Sequence, residues 1–70
     1  MAEKTYDLVF YDLAGAEDST QSFNDRPTAE DALQLFNEPD SAEMYSRIVL
    51  VKYDWRTKQA IELKSLRFIE

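Results

Sequence analysis

The stretch VLVKYDWRTKQAIELK, residues 49–64, alternates apolar and polar side chains on either side of a four-residue break, Trp55-Arg56-Thr57-Lys58. Alternation with period two marks a half-buried strand, and two such runs around a short polar break form a hairpin. With the turn at residues 55–58, Asp54 faces Gln59, Lys52 faces Ile61 and Leu50 faces Leu63. The alternation then slips, because the next apolar residues are Leu66 and Phe68. A β-bulge at Lys64-Ser65 restores it by setting two residues against one. Ile48 then faces Leu66 and Ser46 faces Phe68. The hairpin therefore joins strands at 45–54 and 59–69, and one of its faces collects Ile48, Leu50, Ile61, Leu63, Leu66 and Phe68 as core.

The other face of the hairpin carries Arg47, Val49, Val51 and Tyr53 opposite Ala60, Glu62, Lys64 and Arg67. Arg47 opposite Arg67 is a like-charge pair, which is unfavourable unless a carboxylate sits close by. Asp7, Glu62 or a partner are the sources of one.

Upstream, TYDLVFYDL (5–13) is rich in aromatic and β-branched residues and reads as a strand. Tyr6, Leu8 and Phe10 point one way, and Val9, Tyr11 and Leu13 the other. Two apolar faces place this strand inside the sheet rather than at its edge. AGAEDS (14–19), with the single glycine, reads as a turn, and TQSFN (20–24) as a weak second strand anchored by Phe23. One helix is expected, over 29–37. Thr28 is positioned to cap the amide of Asp31, and Asp31 to reach back, as in a capping box. Ala29, Ala32, Leu33 and Phe36 form its apolar stripe, and Asn37 and Pro39 end it. Residues 39–44 connect it to the third strand with at most one helical turn.

These elements predict a single α+β domain over residues 1–70, of ββαββ order. A mainly antiparallel four-stranded sheet carries one helix packed across one face. The β-grasp arrangement, with its first and last strands parallel at the sheet centre, has the same element order and is the rival topology. One helix covers one side of a sheet, so the other side stays open. Contiguous apolar groups with a polar rim mark an interaction surface. The partner-binding surface is accordingly expected at Tyr11, Val49, Val51 and Tyr53, with Trp55 as anchor and Arg56 at the rim, since Trp, Tyr and Arg dominate binding hot spots. The alternative for Trp55 is that it folds back to cap the small core.

Composition bounds the chemistry. The chain has 70 residues, 44% hydrophobic and 31% charged, with nine aromatics and neither cysteine nor histidine. Disulfides and nearly all zinc sites are excluded. A core this small rarely yields more than about 3–5 kcal/mol of net stability, so association is the expected supplement. Glu30 and Asp31 belong to the helix start, Asp7 and Asp12 point to opposite faces, and Glu17-Asp18 lie in a solvated turn. No phosphate loop, EF-hand spacing or G-x-S-x-G is present, and one glycine in a domain this small builds no pocket. No catalytic residues, cofactor, metal or small-molecule substrate are expected. The first seven residues contain neither a basic nor an apolar signal region, and no run approaches the length of a membrane span. Cytoplasm is the default compartment and no membrane association is expected.

Net charge is −6, but residues 1–43 hold eleven acids against two bases, and residues 44–70 six bases against three acids. The expected function is a non-enzymatic protein-interaction domain that self-associates as a homodimer or docks on a protein partner. A pointed form is a small acidic inhibitor, of the kind phages and mobile elements encode, that occupies the groove of a nucleic-acid-binding protein. The alternative is a single-stranded nucleic-acid-binding sheet using Arg47, Lys52, Arg56, Lys58, Lys64 and Arg67 among Tyr45, Tyr53 and Trp55. A net anionic chain gains little from counterion release, so nucleic acid is the weaker expectation.

Overall fold

Two tight turns and one capped helix divide residues 3–68, which the computed structural model describes. The first turn is made by Asp12. Its Oδ1 accepts from the amides of Ala14 and Ala16, both at 2.9 Å, while its own amide donates to the Ala16 carbonyl at 2.8 Å. Gly15 supplies the left-handed conformation the reversal needs, at φ +87°. Strand β1 (Lys4–Asp12) therefore turns back within four residues into β2 (Glu17–Phe23). This second strand starts earlier than its sequence suggests. The Asp12 side chain closes the turn before residue 17, and the polar Glu17-Asp18 pair is admitted because β2 is an exposed edge.

Helix α1 spans Arg26–Leu35. Its N-cap is Asp25, not Thr28: the Asp25 Oδ1 accepts from the Thr28 amide at 2.8 Å. Pro27 lies in the first turn, where its missing N–H leaves no donor unsatisfied. Asp31 is thus inside the helix rather than at its start, and the helix closes at Leu35 with Phe36 as C-cap. A short 3-10 turn, Pro39–Glu43, leads to β3 (Tyr45–Asp54), which the tip 55–58 joins to β4 (Gln59–Arg67). Ile69, the expected end of the last strand, lies outside the described residues. Among the described residues no helix is long and apolar enough to cross a membrane.

The four strands form one antiparallel sheet in the order β2-β1-β3-β4. The β-grasp rival requires the first and last strands to pair in parallel. Here β1 pairs antiparallel with β3, and β4 lies at the far edge. The apolar double face of β1 is explained by its place between β2 and β3. Lys52↔Ile61, Asp54↔Gln59, Ile48↔Leu66 and Arg47↔Arg67 pair as the alternation predicts. The bulge, however, falls one step earlier than Lys64-Ser65. Glu62 pairs with Val51 and Lys64 with Leu50, so Leu63 is the extra residue. This puts Lys64 on the helix side, where its Nζ lies 3.4 Å from Glu30 Oε2. That carboxylate already holds Arg26, whose Nε lies 2.7 Å from its Oε1, so Lys64 is its second partner.

The core is built where α1 crosses the sheet. Leu8, Phe10, Ile48 and Leu50 from the two central strands meet Ala29 and Leu33. Phe10 packs edge-on against Phe36 at 5.0 Å and lies tilted by 48° against Tyr45 at 5.1 Å, at the C-terminal end of the helix. Leu63, Leu66 and Phe68 are partly buried against this cluster. Ile61 is not part of it, being 56% exposed, because α1 packs on β1, β2 and β3 and does not reach that end of β4.

Three expectations follow. Leu33, 1% exposed, fills the centre of the helix interface, so Leu33→Ala should cost about 2–5 kcal/mol in urea unfolding. Ile61→Ala should stay within about 1 kcal/mol of the parent. Thr28, through its side chain and its backbone amide, holds the Asp25 carboxyl below the ordinary value. A depressed folded-state pKa contributes stability above the unfolded pKa and loses it as pH falls through the folded one. Asp25→Ala should therefore lower the melting temperature at pH 7. Its gap to the parent should close as acid titration passes below the usual carboxylate range.

Candidate functional site

The sheet face opposite α1 is organised in rows by strand register. Glu17, Tyr11, Arg47 and Arg67 make one row; Thr20, Val9, Val49 and Ser65 the next; then Ser22, Asp7, Val51 and Glu62. Thr5, Tyr53 and Ala60 close the face beside the hairpin tip. Valines and tyrosines thus share the middle strands with Thr5, Asp7 and Arg47, while the outer strands carry hydroxyls and charges apart from Ala60. Such a pattern follows from two β-branched central strands flanked by two polar edges.

The residues picked out from sequence fall on this face in unequal roles. Tyr11, Val51 and Tyr53 are half-buried, whereas Val49 is only 4% exposed and lies beneath the surface rather than on it. The guanidinium of Arg47 stands 4.3 Å over the Tyr11 ring. This cation–π contact, rather than Asp7 or Glu62, is how the chain accommodates Arg47 beside Arg67. Neither arginine forms a salt bridge among the described residues.

Trp55 lies on the open face and away from the core. Its ring packs against Tyr53 at 4.6 Å, inclined by 66°, and it remains 56% exposed. The indole N–H donates to Thr5 Oγ1 at 3.1 Å, and the Trp55 amide donates to the Glu3 carbonyl at 2.9 Å. Arg56 is exposed, but its Nη1 sits 3.5 Å from Glu3 Oε2. Within the turn, Asp54 accepts the Arg56 amide on Oδ1 at 2.9 Å and the Lys58 amide on its carbonyl at 2.7 Å. Lys58 takes the left-handed conformation, φ 58°, without a glycine to ease it. The tip is therefore braced from two sides, and its indole is held in one orientation.

Sequence reasoning missed Glu3, Thr5 and Glu17 as neighbours of this surface. The first two are placed by the pairing of β1 with β3, which is not a local feature. Glu17 is turned onto the face beside Thr20, whose hydroxyl donates to its Oε1 at 3.1 Å. Asp7 is the anomaly. It occupies the middle of the face, and its Oδ1 is buried with no hydrogen-bond partner among the described residues. Among the described residues there is also no group of three or more acidic, His or Cys side chains placed to hold a metal ion.

No protein-family model matches the chain, and comparison with curated proteins and with solved structures likewise finds no match.

A buried oxygen without a partner is a cost to the fold. Asp7→Val should accordingly stabilise the isolated chain, by about 1 kcal/mol in denaturant midpoint analysis. A stability loss instead would mean that Asp7 is a structural partner within the fold.

Proposed function

We propose that this chain is a non-enzymatic protein-interaction domain that docks through the sheet face opposite the helix, with Trp55 as its anchor. The observation that carries the reading is uneven coverage. One ten-residue helix packs on one side of four strands, while the other side presents Val9, Tyr11, Val51 and Tyr53 with a rim of hydroxyls and charges. A half-exposed indole fixed by Thr5 and Tyr53 adds an aromatic group whose ordering is complete before a partner arrives. The acidic-inhibitor form of the reading draws support only from the net charge of −6, since the exposed carboxylates of Asp31, Glu38, Asp40 and Glu43 belong to α1 and the 3-10 turn and not to the docking face.

Trp55→Ala tests the proposal. The substitution removes a group that touches Tyr53 and Thr5 but none of the core, so the melting temperature should fall far less than for Leu33→Ala. Association should weaken by about 2 kcal/mol or more, the cost of truncating an aromatic anchor. Emission of the isolated parent should be red-shifted and readily quenched by acrylamide, and should become protected in the complex. A Trp55→Ala chain that binds its partner like the parent, or that unfolds like Leu33→Ala, would overturn the reading.

A further inference from the structure

We propose that the occupant of the open face is a second copy of this chain, packed face to face about a two-fold axis that runs along the strands between β1 and β3. The inference rests on the reading of this face as a docking surface and adds the partner and its orientation.

Charge complementarity in the row of Glu17, Tyr11, Arg47 and Arg67 points to this pairing. A two-fold along the strands keeps each row at its own level and exchanges left for right, so that β2 of one copy lies over β4 of the other. Glu17 then stands over Arg67, Thr20 over Ser65, and Ser22 over Glu62. An acid meets a base in the first row, hydroxyl meets hydroxyl in the second, and in the third a hydroxyl meets a carboxylate while Asp7 stands over Val51. At the centre Val9 stands at the level of Val49, which is already covered within its own chain, and Tyr11 stands over Arg47. Arg47 already holds one Tyr11 ring at 4.3 Å, and the second copy offers another from the opposite side. The Glu17 carboxylate is held on this face by the Thr20 hydroxyl at 3.1 Å, so it needs no rearrangement to reach a facing guanidinium. The like-charged Arg47–Arg67 neighbours, which form no salt bridge among the described residues, receive their carboxylate from the second copy.

The other in-plane two-fold, across the strands, lacks this match. It carries the Arg67 level to that of Ala60 and leaves the Glu17 and Arg67 edges unmatched. A two-fold contact closes at two copies, since each surface meets itself, and aligned sheets pack in this way at about 10 Å separation.

Charge reversal tests both partner and orientation. Sedimentation equilibrium of the parent should show a monomer–dimer equilibrium. Glu17→Arg alone sets arginine against arginine, and Arg67→Glu alone sets glutamate against glutamate, twice per dimer. Each single variant should dimerise at least about tenfold more weakly than the parent, with its circular dichroism unchanged because both side chains are exposed. An equimolar mixture of the two variants restores opposite charges at both contacts. The two introduced side chains face each other at one, and the unchanged Glu17 and Arg67 face each other at the other. Native mass spectrometry should show the heterodimer restored to parental strength. A parent that stays monomeric to about 1 mM would overturn the inference. So would single variants that dimerise like the parent, or a mixture that fails to recover. A monomeric parent whose binding to a different protein is lost with Trp55→Ala would overturn the self-pairing alone and leave the docking face standing.

Discussion

A ten-residue helix is about 15 Å long, and the strands beneath it run nine or ten residues, about twice that length. The rest of the molecule depends on this shortfall. The helix can bury the middle of β1 and β3 and one flank of the sheet, and the core accordingly consists of Leu8, Phe10, Ile48 and Leu50 under Ala29 and Leu33. What the helix fails to reach is left to side-chain arrangement. Ile61 is exposed on the covered side, and on the other side valines and tyrosines are sheltered only by one another and by arginine and tryptophan side chains laid across them. The total accessible surface, 4933 Å², exceeds the roughly 4,500 Å² expected of a folded monomer of 8.2 kDa. A sheet with one bare face accounts for that direction of departure.

How far the fold could be read from sequence depended on whether the deciding interaction was local. The hairpin of β3 and β4 was legible because its alternation, its four-residue tip and its need for a bulge are all written within 25 residues. The central place of β1 was legible because both its faces are apolar. The helix start was misplaced by three residues because two capping devices compete there, and Asp25 followed by a proline outweighs Thr28 followed by Asp31. The position of the bulge was missed for a different reason. Alternation within β4 does not tell whether Leu63 or a later residue is the extra one, and the neighbour that Lys64 meets, Glu30, lies 34 residues away in sequence.

The candidate site shows the same division. Tyr11, Val51 and Tyr53 could be assigned to the open face by parity alone. Parity could not tell that Val49 is covered, that Glu3 and Thr5 brace Trp55 and Arg56, or that Arg47 rests on Tyr11. Those features depend on the register between β1 and β3. The charge asymmetry between the two halves of the sequence is likewise turned into space by strand order. Glu17 and Asp18 come to one edge of the sheet and Arg67 to the other, so a linear imbalance becomes a transverse one.

The pairing of β1 with β3 also governs how the chain reaches this state. Each outer pair is a hairpin closed by four residues, formed on the microsecond scale characteristic of such units. Joining them requires Lys4 to meet Asp54 across nearly the whole chain, with α1 and its connectors as the intervening loop. The entropy of closing that loop is spent before the register Leu8↔Leu50 and Phe10↔Ile48 repays it. The meeting of the inner strands of these two ribbons is the pairing of greatest sequence separation in the fold. Until that meeting the apolar edges of both ribbons are bare, and whatever competes for them in a crowded solution competes with the fold itself.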